Sequence, residues 1–105
     1  MAKEKKEGFS DTLVEERPPG VGKPGRYLVV LHNDDYTTMD FVIEVLLQFF
    51  NHDQEGAQRV MFRVHQEGKG VAGVYPFEIA ETKVYQVREF AKAHGFPLRC
   101  TMEKE

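Results

Sequence analysis

The sequence predicts an α+β domain in which three helices cover one sheet of three strands. Three observations lead there. Short apolar or alternating runs bounded by turn residues occur at Tyr27–Leu31, Gly70–Tyr75 and Leu98–Met102. Apolar residues at three-and-four spacing fill three further stretches. The resulting order is strand, helix, helix, strand, helix, strand, which suits helices layered on one sheet. The chain has 105 residues, the size of one domain.

Residues 1–25 are expected to be a disordered extension. Lys and Glu dominate its first part, and R-P-P-G-V-G-K-P-G closes it with residues that break helix and strand alike. Such a segment buries too little apolar surface to offset its ordering entropy. Phe9, Leu13 and Val14 form a short apolar cluster within it. The folded core is expected over residues 26–105.

Tyr27–Leu31 reads as a buried strand. Asn33, Asp34 and Asp35 follow, and a helix then runs from about Thr38 to Asn51. Thr37 is the expected N-cap, with Asp40 three residues on to complete an approximate capping box. Met39, Val42, Ile43, Leu46, Phe49 and Phe50 give that helix its buried face. Asp53 caps a second helix, Gln54–Gln66, whose inward stripe is Ala57, Val60, Met61 and Val64, with His65 on its edge. Gly68 is placed to end it in a left-handed conformation.

Gly70–Tyr75 is the second strand, and Gly73 within it marks a bulge or a close backbone approach. A third helix lies between Glu78 and His94, with Ala80, Val84, Val87 and Ala91 inward. Gly95 and Pro97 close it. In the last strand, Leu98, Cys100 and Met102 alternate with Arg99 and Thr101, so one face is buried and one wet.

Composition narrows the function. A net charge of -3 argues against a general nucleic-acid binder or an anionic membrane partner, since both favour a basic face. One cysteine, Cys100, allows no internal disulfide and points to a reducing compartment. Neither a signal peptide nor the ~18 apolar residues of a membrane span is visible, so a cytoplasmic protein is expected.

The chemistry gathers around L-H-N-D-D-Y-T-T-M-D-F-V, Leu31–Val42. Asn-Asp-Asp between a strand and a helix is ordinary turn chemistry, because these side chains bond their own backbone. Beside Met39 and Val42, one turn apart on a helix, the same acceptors also suit a ligand with a cationic head and an apolar side group. If the second helix packs beside the first, Met61 and Val64 face Met39 and Val42, and His65 joins the polar rim. Two facing methionines are also ordinary adaptable core, and a histidine at a helix edge is commonly a surface residue.

Other chemistries are poorly served. Cys100 falls on the apolar side of its strand, without a flanking nucleophile motif. His32, Asp34, Asp35 and His65 could supply metal ligands, but no His-x-x-x-His or Cys-x-x-Cys spacing occurs. The glycines of E-G-K-G-V-A-G follow a helix rather than open one, which does not suit phosphate. No cofactor and no metal are expected. The rival to a binding module is a small metal-dependent or Asp/His hydrolase using Asp34, Asp35 and His65. A structural interaction domain without a pocket is the third reading.

Four ordered blocks carry a family resemblance: N-D-D-Y-T-T-M-D-F-V, V-M-F-R-V-H-Q-E-G-K-G, G-V-Y-P-F-E-I-A-E-T-K-V and P-L-R-C-T-M-E-K. Together they resemble the ClpS family, bacterial adaptors that hand N-degron substrates to the Clp AAA+ protease. The resemblance covers Arg26–Glu105. It implies a three-stranded antiparallel sheet on three helices, similar to the ribosomal stalk protein C-terminal domain. It implies recognition of proteins whose first residue is Phe, Leu, Tyr or Trp. By resemblance, Asn33, Asp34 and His65 surround the free α-amino group, and Asp35 and Thr37 shape the mouth and hold the substrate backbone. Met39, Val42, Met61, Val64 and Leu98 line the side-chain pocket. Glu78 and Lys83 belong to the surface that docks on the N-terminal domain of the ClpA unfoldase, and the N-terminal extension serves delivery. An adaptor without enzymatic activity is implied, and a monomer is the simplest expectation. Thr38 stands where the family often has proline, and Pro76 where threonine is usual.

Overall fold

The computed structural model describes residues 25–105. The expected extension, up to residue 24, lies outside the described residues. Six elements follow in the order β1 (Tyr27–His32), α1 (Met39–Phe49), α2 (Gln54–Glu67), β2 (Lys69–Tyr75), α3 (Phe77–Ala93) and β3 (Arg99–Lys104). The sheet order is β2-β1-β3, with β1 antiparallel to both neighbours.

The central strand β1 is buried on both faces at its middle. Val29 and Leu31 sit in the core under the helices and are fully buried. Val30 points to the opposite face, between Val71 and Thr101 in register, and is buried there too. On the helical side, Leu31 pairs with Cys100, and Val29 with Met102. The alternation read from Leu98 to Met102 therefore fixes which face of β3 meets the helices. Val45 and Leu46 of α1, Ala57 and Val64 of α2, and Ala80 and Val87 of α3 close the core from above.

Gly73 does mark an irregularity. Val29 pairs with Gly73 but Val30 with Val71, so Ala72 is an extra residue in β2, a β-bulge. The Tyr75 ring folds across Gly73, where a Cβ would lie 2.5 Å from the phenol oxygen. One loop side chain and one helical side chain bond carbonyls of the two edge strands. His52 Nε2–H donates to Ala72 O at 2.8 Å, and Arg88 Nε donates to Cys100 O at 3.1 Å. An edge carbonyl satisfied in this way is closed to pairing with another strand.

The helix ends correct two expectations. Thr38, not Thr37, caps α1: its side chain accepts from Phe41 N at 3.1 Å. The capping box does not form, and Asp40 lies in the first turn, where its charge suits the helix dipole. The Thr37 hydroxyl instead donates to Asp34, inside the turn that precedes the helix. The C-terminus of α1 comes at Phe49, two residues early, because Asn51 turns left-handed with φ of 58°. No basic residue lies in the last turn of α1. Lys83 from α3 takes that place, donating to Phe49 O at 2.6 Å between the rings of Phe50 and Tyr75. In α2, Asp53 caps through Gly56 N, and Gly68 closes the helix with φ of 92°, as expected. Pro76 precedes α3 without a side-chain cap bond.

Candidate functional site

The turn from β1 into α1 is built by Asp34. Its Oδ1 accepts the backbone N–H groups of Tyr36 at 2.8 Å and Thr37 at 2.7 Å. Its Oδ2 accepts the Thr37 hydroxyl at 2.7 Å. Burial by itself would raise the Asp34 pKa. The bonds from the Thr37 hydroxyl and from the Thr37 and Tyr36 N–H groups outweigh it, and the carboxyl is held below its ordinary value. Asn33 N donates to Gly68 O at 2.9 Å, which pins the end of β1 to the C-terminus of α2.

That pin sets the turn against the α1–α2 pair, and between them lies an open-mouthed cavity of about 390 Å³. Its wall is divided by chemistry. Asn33, Asp34, Asp35, Tyr36, Thr37 and Thr38 form the polar side, and Met39, Val42, Met61 and Val64 the apolar side. His65 joins the two. Val42, Met61 and Val64 are buried and make the floor, whereas Met39 is 44% exposed and stands at the mouth. The volume lies at the low end for ligand pockets and is enough for one large side chain.

Nine of the expected site residues thus come together: Asn33, Asp34, Asp35, Thr37, Met39, Val42, Met61, Val64 and His65. Leu98 does not line the cavity; it is buried in the core, 6% exposed. Glu78 and Lys83 lie away from it on α3, Glu78 exposed in the first turn and Lys83 half-buried. The reading of the residues missed Tyr36 and Thr38 as wall. Both interrupt the run of chosen positions from Asn33 to Met39, and that adjacency was the available signal.

Two groups weighed for other chemistry, His32 and Cys100, lie outside the cavity. His32 bonds Thr101 Oγ1 at 2.8 Å, outside the cavity. Burial, then Arg99 and Lys69, pull its pKa down against Glu103. Among the described residues, no three His, Cys, Asp or Glu side chains gather as a metal-ligand set. Burial pushes the Cys100 thiol up to about 12, with Arg88 opposing, so it is no thiolate at neutral pH.

Comparison with known proteins gives a consistent picture. The family model described as "ATP-dependent Clp protease adaptor protein ClpS" matches residues 22–101. An ATP-dependent Clp protease adapter protein ClpS of Phenylobacterium zucineum is 51% identical over 107 residues, covering 97% of this chain and 98% of its own. That of Caulobacter vibrioides is 52% identical over 98 residues, covering 93% of this chain and 90% of its own. That of Xanthomonas campestris is 55% identical over 92 residues, covering 88% and 87%. Among solved structures, Agrobacterium tumefaciens ClpS2 bound to L-phenylalaninamide superposes with a TM-score of 0.76 at 41% identity, over 79% of this chain and all of that one.

Proposed function

The chain belongs to the ClpS family of ATP-dependent Clp protease adaptors, and from that premise we propose that its cavity binds the first residue of proteins beginning with Phe, Leu, Tyr or Trp. It is an adaptor for the Clp protease and not an enzyme, so the hydrolase alternative falls. The observation that carries the proposal is the divided wall: acceptors on one side, a closed apolar floor on the other, and His65 between them. The ligand of the Agrobacterium ClpS2 structure, L-phenylalaninamide, has a free amine next to an aromatic side chain.

In this reading Asn33 offers its carbonyl oxygen and His65 a ring nitrogen to the ammonium, while Asp34 supplies negative potential. Asp35 and Thr37 hold the backbone that follows. The first side chain rests on Val42, Met61 and Val64 beneath Met39, with Leu98 supporting them from the core. Charge-assisted hydrogen bonds contribute about 1.5–3 kcal/mol each. Burying a Leu or Phe side chain adds about 1.5–3 kcal/mol. Neither outweighs the cost of association, at least ~4 kcal/mol, by itself. Binding therefore requires the amine and the side chain together. An internal Phe, without the amine, is left unbound.

The bound substrate is then delivered to the N-terminal domain of the ClpA unfoldase, with Glu78 and Lys83 at the docking surface and the N-terminal extension assisting. The adaptor works as a monomer in the cytoplasm, beside the protease. No described helix is long and apolar enough to cross a membrane.

Fluorescence anisotropy tests the pocket. A labelled peptide beginning with Leu should bind at micromolar concentration or tighter, and its N-acetyl and Met-first versions should not. Equal affinity for the acetylated peptide would remove the amine from the mechanism.

A further inference from the structure

A turn between a strand and a helix normally presents free N–H groups, and here it also has a hydroxyl beside them. Three such donors in one concave mouth would make an anion site. In this protein all three are already taken. Tyr36 N, Thr37 N and Thr37 Oγ1 each donate to the Asp34 carboxylate, at 2.8, 2.7 and 2.7 Å. An ionised carboxylate has no proton to give, so the hydroxyl proton must point at Asp34. Oγ1 then meets a ligand only as an acceptor. None of the eleven residues lining the cavity is Lys or Arg.

We propose that Asp34 is a positioning residue that consumes the three donors of this turn and leaves a carboxylate in their place, so that the pocket takes a first residue in amide linkage and rejects the free amino acid. The inference rests on the amine-binding reading of the same cavity. A peptide N-terminus brings an ammonium and an N–H donor on its first amide. A free amino acid brings the same ammonium and side chain with a carboxylate next to them. That carboxylate meets Asp34, Asp35 and the Thr37 lone pairs, with no Lys or Arg in the lining. The mouth thereby separates protein N-termini from free leucine or phenylalanine of identical side chain.

The test is displacement of the labelled Leu-first peptide from the full chain by leucinamide and by leucine. Leucinamide should compete at least about tenfold better, one charge-assisted hydrogen bond or more. Asp34→Asn is then measured with Thr37 and with Thr37→Val. The amide keeps Oδ1 for the two N–H groups but puts an N–H₂ donor against the hydroxyl, which turns the hydroxyl proton outward. With Thr37 present, Asp34→Asn should narrow the leucinamide preference by about tenfold. With Thr37→Val it should change that preference much less, the non-additivity expected of contacting groups. Thr37→Ser should restore what Thr37→Val loses, with circular dichroism reporting that each variant is folded. An equal effect of Asp34→Asn in both backgrounds would mean that Asp34 acts by charge alone and would overturn the proposal. So would leucine competing as well as leucinamide. Failure of the parent protein to bind the Leu-first peptide would overturn the amine-binding reading itself, and this inference with it.

Discussion

Asp34 shows how one side chain serves both stability and the site. Its carboxylate organises the turn, and its depressed pKa makes that contribution pH-dependent. The unfolded chain binds the Asp34 proton more readily than the fold does, so protonation favours unfolding. The stabilisation is complete above the ordinary aspartate value and is lost as pH falls through the lower value of the fold. Comparing parent and Asp34→Asn in urea from pH 6 down to pH 2, the difference in midpoint should shrink across that acid window. A constant difference would mean that the Asp34 bonds do not stabilise the fold. At the same scale, Met39 is the exposed member of an otherwise buried wall. Met39→Ala should widen the mouth and admit peptides beginning with Ile or Val, measured by anisotropy. Equal rejection of them by the mutant and the parent would place the size filter elsewhere. The polar residues were legible from sequence as a set, because Asn33, Asp34 and Asp35 are adjacent. Their division of labour was not. Which acceptor is consumed inside the turn depends on the φ and ψ of Tyr36 and Thr37, and Thr37 and Thr38 are equally good caps by type.

At the scale of elements, the pocket depends on how α2 sits against β2, and Gly70 sets that distance. A Cβ there would lie 2.9 Å from Val64 Cγ2 and 3.4 Å from Val60 O. Val64 is also pocket floor. Gly70→Ala should therefore push Val64 toward the cavity, destabilise by about 1–3 kcal/mol as overpacking does, and weaken binding of Phe-first peptides more than of Leu-first ones. Urea unfolding and anisotropy on the same protein would show both effects, and an unchanged Phe-to-Leu affinity ratio would refute the link to the pocket. Periodicity made all six elements visible, and Asp53 and Gly68 marked the bounds of α2 at sequence level. The early end of α1 was hidden. It requires Asn51 to turn left-handed and a lysine 34 positions later to meet Phe49 O, and no local pattern encodes that distant contact.

For the whole molecule, the site is an assembly from two helices and one strand end, whereas the proposed docking residues sit on α3. Lys83 carries two duties in that arrangement. It is expected at the unfoldase interface, and its ammonium already serves the C-terminus of α1 between two aromatic rings. Burial lowers its pKa, as partial withdrawal from water demands. Glu78, exposed in the first turn of α3, has no such internal role among the described residues. Glu78→Ala should thus weaken docking on the ClpA N-terminal domain while the urea midpoint and Leu-peptide affinity stay close to the parent's. Lys83→Ala should weaken docking and also cost about 1 kcal/mol of stability, the scale of one partly exposed hydrogen bond. Equal stability of the two variants would show that the Lys83 bond contributes nothing to the fold.

The amino-acid sequence by itself determined the element order, the buried stripe of each helix, the inward face of β3 and the residues available for chemistry. Each of these follows from local periodicity and residue type, which act over a few positions. Only the tertiary structure decided that Met39 and Val42 line one cavity with Met61 and Val64, that Asn33 is pinned to Gly68, and that Leu98 belongs to the buried core. It also decided that Asp34 spends both oxygens on its own turn. Those outcomes depend on how two helices and a strand end are set against one another. That geometry comes from packing a core shared by all six elements, and no single stretch of the chain contains it.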